Sequence, residues 1–121
     1  MAGFQPPLVM IALGKGRPIG ALVRGSQKLC LSVLGEHDAP LMKKFARGVP
    51  DGVDPFEGVN ISRTAQGVPY LNDAISFIEC KLLNTVETGG DHELYIAEVI
   101  DGRPLREGTS FTHLRGNGFH Y

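Results

Sequence analysis

The chain has 121 residues, enough for one domain, and its 42% apolar and 21% charged residues are typical of a globular protein. Lys and Arg number 12 against 13 Asp and Glu, so no general positive field favours nucleic acid or an acidic membrane surface. The longest apolar run, 8–13, is too short to span a bilayer, and no basic segment of a signal peptide precedes it. We therefore expect a single domain, 1–121, that binds neither nucleic acid nor membrane.

The cysteine and glycine contents indicate the compartment and the fold class. Cys30 and Cys80 lie far apart in apolar stretches, as buried free thiols do in a reducing compartment, and no His, Cys or carboxylate spacing predicts a metal site. This predicts a cytoplasmic protein without a metal. The 16 glycines follow no period and are typical of tight turns between short strands, so a mainly β fold with small helices is expected.

The first predicted elements are strand, helix and strand. The continuously apolar run 8–13 predicts a central strand that is covered on both faces. After it, Pro18 precedes apolar residues at spacings of three and four, which predicts a short helix. A second apolar strand is predicted over 29–34.

A second, amphipathic helix is predicted after Asp38. The Asp38 carboxylate is expected to cap the helix by accepting from its first free N–H groups. Leu41, Met42 and Phe45 form the side that we expect to be buried. The Gly- and Pro-rich stretch 48–58 then predicts a loop in which Val53 and Phe56 are apolar plugs.

The second half of the chain predicts antiparallel sheet. The turn at 89–91 is a strong hairpin signal, and Gly90 is predicted to need a positive φ there. The remaining predicted elements are a strand over 59–63, a turn at 66–67, a long strand over 74–86, a return strand over 92–100 that ends at Asp101-Gly102, and a last strand over 111–114.

Two places in this pattern are candidate sites. Lys15 and Arg17 lie in a glycine-containing turn between a strand and a helix, where backbone N–H groups and two cations suit the phosphate of a small cofactor. His92 follows the hairpin turn at a sheet end, where an imidazole can donate to a carbonyl or stack on a planar ring. A solvated basic turn and a histidine tied to Asp91 or to solvent are the alternatives.

The order of these motifs resembles the flavin reductase-like family. The motifs are Pro6-Pro7-Leu8-Val9, the basic turn and helix at 15–23, Lys28-Leu29-Cys30-Leu31-Ser32-Val33-Leu34, the helix ending in Phe45, Asp54-Pro55-Phe56-Glu57-Gly58, Ile78-Glu79-Cys80, Gly90-Asp91-His92 and His113-Leu114-Arg115-Gly116. The likeness is greatest to the C-terminal flavin reductase module of cyanobacterial diflavin proteins.

The resemblance implies a Greek-key split β-barrel, the FMN-binding split barrel, with two short helices. Family members carry a first β-hairpin and a Thr/Ser-rich segment before the double proline, so an N-terminally truncated barrel is expected here. Ser32 stands where the family has asparagine, and Pro18 and Ile19 stand where a Ser or Thr often follows the basic turn.

The resemblance also implies a function and its residues. An FMN-binding protein is expected, with FAD also possible, that takes hydride from NAD(P)H and works as a homodimer. Lys15 and Arg17 would lie near the flavin phosphate and ribityl chain, and His92 would approach the flavin ring or the nicotinamide. The backbone of Ser32, Val33 and Leu34 would line the flavin edge, and Phe119 and Tyr121 would pack near the open face.

Two other readings remain open at this point. One is a truncated split barrel that binds flavin or another planar ligand without turnover. The other is a structural remnant that is stable as a dimer and binds no flavin.

Overall fold

The computed structural model describes residues 3–48, 50 and 52–110, and these form seven strands and two short helices. The elements are β1 (Gly3–Phe4), β2 (Pro7–Gly14), α1 (Pro18–Ser26), β3 (Lys28–Val33), α2 (Ala39–Arg47), β4 (Ile61–Arg63), β5 (Pro69–Leu71), β6 (Ser76–Glu87) and β7 (His92–Pro104). The mainly β prediction with two helices is confirmed. The last predicted strand, 111–114, lies outside the described residues.

The strands form two antiparallel sheets. Five strands pair in the order β1-β2-β7-β6-β3, and β4 pairs with β5 in a separate ribbon. Because β3 pairs with β6 rather than with β2, helix α1 carries the chain across the sheet between them. Among the described residues, no helix has both the length and the apolar character needed to cross a membrane.

The core lies between the inner face of the large sheet and α1. Its buried members are Val23, Leu29, Cys80, Leu82, Tyr95 and Ala97, with Val9, Ile11 and Leu13 packed against them. Helix α1 approaches the sheet closely at Gly20, where a Cβ would stand 2.7 Å from the Tyr95 hydroxyl. The Arg24 guanidinium donates to that hydroxyl, so the buried phenol has a hydrogen-bond partner.

Strand β2 is covered on one face only, so the prediction of coverage on both faces is wrong. Its odd-numbered residues pack into the core, whereas Met10 is 52% exposed and Ala12 is also exposed. The side chains of a strand alternate between faces. In the described part of the chain, no second layer of structure buries this outer face of β2.

Asp38 immediately precedes the first residue of α2, as predicted, but its carboxylate does not make the predicted capping interaction. The Asp38 carboxylate accepts from the Gly35 N–H at 2.7 Å and from Arg106 Nη2 at 2.7 Å, and it makes no bond to the helix N–H groups. The side chains of Leu41, Met42 and Phe45 are half-buried, so the predicted face is correct although none of the three is fully covered.

Strand β7 continues past its predicted end. Glu79 pairs with Asp101 and Cys80 with Val99, so one extra residue of β7 forms a bulge between them. Gly102 then lies directly against β6, where a Cβ would stand 2.9 Å from the Phe77 carbonyl oxygen. The Asp-Gly pair permits close strand approach here, and the strand ends at Pro104.

Candidate functional site

One candidate group, the hairpin-end cluster, consists of Lys15, Glu87, Asp91 and His92. It forms because the end of β2, the end of β6 and the start of β7 meet, with Gly14 paired to His92. The Lys15 N–H donates to the Asp91 carbonyl at 2.9 Å, and the Lys15 ammonium pairs with the Glu87 carboxylate. The structure therefore brings Lys15 and His92 together, as a shared site would require.

Ion pairs neutralise much of the charge in the hairpin-end cluster. The hydrogen bond from Lys15 lowers the pKa of Glu87, and the hydrogen bond from His92 lowers the pKa of Asp91. The latter bond joins Nδ1 of His92 to Oδ1 of Asp91 at 2.8 Å. Both carboxylates are exposed, so water and salt weaken these pairs, and an incoming phosphate would compete with Glu87 for Lys15.

Arg17 lies beside this cluster at the start of α1. It occupies the position before the first helical residue, its side chain makes no capping hydrogen bond, and the residue is exposed. No carboxylate pairs with Arg17 in the described part of the chain. Its charge is thus open to an anion at the helix start.

The predicted flavin-edge residues lie on β3 and immediately after it. The Ser32 hydroxyl accepts the Leu71 N–H at 3.0 Å, and the Val33 carbonyl accepts the Ile75 N–H at 2.9 Å. The side chains of Ser32, Val33 and Leu34 are half-buried. The Ser32 O–H proton remains free to donate to a ligand.

These residues and the hairpin-end cluster occupy opposite ends of β6. Ser32 pairs with Phe77, near the start of β6. His92 lies beyond the other end of β6, after the hairpin turn that is closed by the pair Glu87 and Glu93. Ten residues of extended chain separate Phe77 from Glu87, a contour length of about 33 Å. Within one chain the structure does not bring the two groups together.

An aromatic cleft opens beside Ser32. Its volume is about 170 Å³, and it is lined by Cys30, Ser32, Phe45, Phe56, Pro69, Tyr70 and Leu71. The rings of Phe45 and Phe56 are 5.8 Å apart and tilted, so the 48–58 loop closes over helix α2 through Phe56. The other predicted plug, Val53, is 43% exposed, and that part of the prediction is wrong.

The sequence does not predict this cleft. The pattern predicts Phe45 on the buried side of a helix and Phe56 in a loop, and only the tertiary structure places both beside β3 and β5. Tyr70 stacks on Phe77 with ring centroids 4.3 Å apart, which extends the aromatic wall onto β6. Phe56, in the Asp-Pro-Phe segment, is the single aromatic residue of the 48–58 loop, and its partners in the cleft are distant in sequence.

A buried carboxylate lies next to the cleft. Glu79 pairs with Cys30 across β3 and β6, is 3% exposed, and has one oxygen, Oε2, without a hydrogen-bond partner. Burial, followed by the charge of Glu79, raises the pKa of Cys30 to about 12. The Cys30 thiol is therefore protonated at neutral pH and is a weak nucleophile.

The cleft suits part of a planar ring system. Aromatic walls stack on such a ring, and the free Ser32 proton can donate to a ring oxygen or nitrogen. A volume of about 170 Å³ is below the roughly 300–1,000 Å³ of complete small-molecule sites, so the cleft would hold one edge of a tricyclic ring. The other two predicted site residues, Phe119 and Tyr121, lie outside the described residues. Among the described residues, no cluster of three metal-ligating side chains occurs.

Residues 1–117 match the family model for the flavin reductase like domain. The diflavin flavoprotein A 1 of Synechocystis is 34% identical over 99% of this chain, but the chain spans only 21% of that relative. The reductase component of a 4-nitrophenol monooxygenase from Rhodococcus opacus is 28% identical over 96% of this chain and 60% of its own length.

Solved structures of two similar proteins superpose on this chain. The NADH:FAD oxidoreductase of Streptomyces globisporus superposes with a TM-score of 0.81 and 31% identity, covering 91% of this chain and 67% of that chain. The styrene monooxygenase flavin reductase of Pseudomonas putida gives a TM-score of 0.73 and 29% identity, covering 86% and 65%. The split-barrel fold predicted from the motif order is confirmed.

Proposed function

The chain belongs to the flavin reductase like domain family, and on that premise we propose that it binds FMN and transfers a hydride to it from NAD(P)H. FAD is the second flavin that we expect it to accept. The observation that carries the proposal is the aromatic cleft beside Ser32, Val33 and Leu34, because it offers a planar ring a stacking wall next to the backbone that the family resemblance assigns to the flavin edge.

Each predicted site residue has a role in this proposal. Ser32, Val33 and Leu34 line the ring edge, Lys15 and Arg17 contact the phosphate and ribityl chain, and His92 approaches the nicotinamide. Bound flavin supplies the hydride-accepting chemistry, so the chain needs no nucleophile or metal of its own. Its residues need only to hold the flavin ring, leave one face of that ring open to the nicotinamide, and keep water away from that face.

We further propose that the working form is a homodimer. Ser32 and the hairpin-end cluster lie at opposite ends of β6, so a second copy would have to supply one of the two groups to a shared flavin. The outer face of the large sheet, formed by Met10, Ala12, Val86, Leu94 and Ile96, offers an apolar contact surface.

The two thiols are free, which suits the reducing cytoplasm as the location we propose. Because the chain spans about a fifth of the diflavin relatives, their whole-protein activity is not assigned to it.

The first test is flavin binding followed by turnover. Protein purified without added cofactor is titrated with FMN and with FAD while flavin fluorescence is recorded, and NADH and NADPH oxidation are then measured by absorbance. Saturable quenching at micromolar flavin, followed by oxidation that depends on both flavin and protein, is the expected result. A protein that quenches neither flavin would contradict the proposal.

Flavin binding without turnover is the second candidate function. The observation in its favour is the ion pair between Lys15 and Glu87. This pair engages the Lys15 ammonium, which the resemblance assigns to the flavin phosphate. Saturable quenching with no oxidation of either nicotinamide would support this candidate over the reductase.

A further inference from the structure

The half of β6 that leads to the hairpin turn has a free edge. Strand β3 begins at Lys28 and pairs with β6 over residues 76–81. The next N–H of β6, that of Leu82, donates to the Gln27 carbonyl at 2.9 Å. From there to the turn β6 pairs with β7 alone, so within the described ranges no strand lies on its other side over 83–87. Such an edge presents backbone donors and acceptors to an incoming strand.

A bulge sets which backbone groups point to this free edge. Leu82 and Asn84 pair with consecutive residues of β7, so Leu83 between them is an extra residue. The extra residue shifts the alternation of N–H directions by one, and the Thr85 N–H therefore points to the same side as the Leu82 N–H. It donates to Oδ1 of Asn84 at 2.9 Å. A side chain of β6 itself thus occupies a donor that a neighbouring strand would use.

A groove lies beside the free edge. Its volume is about 280 Å³, and it is lined by Arg24, Gln27, Leu82, Leu83, Asn84 and Thr85. Leu83 is 47% exposed and gives the groove an apolar wall. Arg24 is the one charged residue of this lining. Its Nη1 donates to the Tyr95 hydroxyl and lies 3.6 Å from Glu93, which leaves other guanidinium N–H groups available to an acid.

We propose that this groove binds an extended acidic segment of a partner protein, which adds to β6 as a further strand. The segment displaces the Asn84 amide from the Thr85 N–H and takes that hydrogen bond with its own carbonyl. A carboxylate on the side that faces α1 pairs with Arg24, and an apolar side chain packs on Leu83. The groove shares no lining residue with the aromatic cleft, so this interaction does not depend on flavin binding.

The probe is a fluorescein-labelled hexapeptide of alternating Val and Glu, whose carboxylates share one face when it is extended. Fluorescence polarisation with the full chain should show saturable binding. The same peptide with Lys in place of Glu should bind roughly tenfold more weakly, as loss of a charge-assisted hydrogen bond predicts. A peptide with N-methylated backbone amides should not bind, because it cannot donate to the edge.

Two substitutions change the free edge in opposite directions. Asn84→Ala releases the Thr85 N–H, so the dissociation constant for the acidic peptide should fall about fivefold. Thr85→Pro removes that N–H at an edge position, where proline is tolerated, and should raise the dissociation constant about tenfold. Asn60→Ala, at an exposed position just before β4, is the matched control and should leave binding unchanged. Circular dichroism and thermal unfolding confirm that the variants are folded.

The outcomes decide between a partner protein and the alternatives. Saturable binding that shifts in these two directions supports the proposal. No binding by the unchanged chain, equal affinity for the Glu and Lys peptides, or binding that survives both N-methylation and Thr85→Pro would overturn it. If the unchanged chain does not bind the peptide and forms a dimer that Thr85→Pro dissociates, the edge pairs with a second copy and the partner-protein assignment is wrong.

Discussion

Lys15 and Arg17 are close in sequence, yet their charges are in different situations. The Lys15 ammonium is paired with Glu87, whereas Arg17 is exposed at the start of α1 and has no carboxylate partner in the described structure. A phosphate at this turn would therefore gain most from Arg17 and would displace Glu87 from Lys15.

The first prediction concerns this pair of cations. If they hold the phosphate, replacing both with Ala weakens FMN roughly tenfold and leaves riboflavin unchanged, by equilibrium titration of flavin fluorescence. Equal weakening of both flavins would remove Lys15 and Arg17 from the phosphate role. Glu87→Gln is the companion variant, and it should strengthen FMN binding by freeing Lys15.

The second prediction concerns His92. Its ring is held by Asp91 at 2.8 Å on an exposed turn, so it can be removed without opening the core. If it serves the nicotinamide, His92→Ala slows flavin reduction by NADH about tenfold with FMN affinity nearly unchanged. Stopped-flow reduction and a fluorescence titration measure the two quantities separately, and a matched loss of FMN affinity would contradict the assignment.

The third prediction is a pH dependence set by the two thiols. Burial is the main cause that raises the pKa of Cys30 to about 12 and that of Cys80 to about 11, from the ordinary thiol value of 9.0. Because the pKa of each thiol is higher in the folded state than in the unfolded state, its contribution to the free energy of unfolding is fully present at neutral pH. That contribution is lost as the pH rises from about 9 towards these values.

Urea unfolding at pH 8 and pH 10 measures this effect. The midpoint should fall at pH 10, and it should fall less in the Cys30→Ser, Cys80→Ser double variant. An equal fall in both proteins would show that other groups cause the alkaline loss. At pH 8, alkylation of folded Cys30 should be roughly a thousandfold slower than that of a free thiol, since its thiolate is scarce.

At the scale of elements, the β6–β7 hairpin is the connection on which the hairpin-end cluster depends. The turn contains two adjacent glycines, and the sequence pattern predicts the positive φ at Gly90. In the structure the positive φ is at Gly89, with a value of 81°, and Gly90 is not in that region. The N–H of Gly89 donates to Glu87 at 3.1 Å, which ties the turn to the carboxylate that pairs with Lys15.

The fourth prediction follows from this difference. Gly89→Val should destabilise the fold by about 1–2 kcal/mol, because a β-branched residue is strained at positive φ. A Cβ at Gly90 would meet only the Thr88 hydroxyl, at an ordinary contact distance of 3.6 Å, so Gly90→Val should cost less than about 0.5 kcal/mol. Urea denaturation of both variants tests the assignment, and a larger loss in Gly90→Val would reverse it.

At the scale of the whole molecule, one face of the large sheet packs against α1, whereas the opposite face is exposed and apolar around β2 and the adjoining part of β7. Met10 pairs with Ile96 and Ala12 with Leu94, so these residues are adjacent on the outer side of the sheet. Exposed apolar surface of this kind is typical of an interaction site. In a two-fold dimer the same patch would face its own copy.

The fifth prediction tests that arrangement. Met10→Glu places a carboxylate at the centre of the outer face, and the cost of burying it should convert the proposed dimer to monomer. Leu22→Glu is the control, because Leu22 is 68% exposed on α1 and lies outside this face. Light scattering after size-exclusion chromatography gives the masses. A Met10→Glu protein that remains dimeric would exclude the outer face as the interface.

Local chemistry accounts for most of what could be predicted. The helix at Pro18, the helix after Asp38, and the long strands on either side of the 89–91 turn all follow from patterns within a few residues, and each is present in the structure. The order of short motifs also indicated the family fold. These features depend on backbone preferences and on side-chain periodicity, which a single sequence displays directly.

The sequence by itself therefore determined the mainly β fold class, the two short helices and the residue types available for binding. Only the tertiary structure decided that β2 has one bare face, that Asp38 bonds Arg106 instead of capping its helix, and that Phe45, Phe56 and Tyr70 meet in a cleft. The reason is that these outcomes depend on contacts between residues distant in the chain, and such contacts are set by strand order and register.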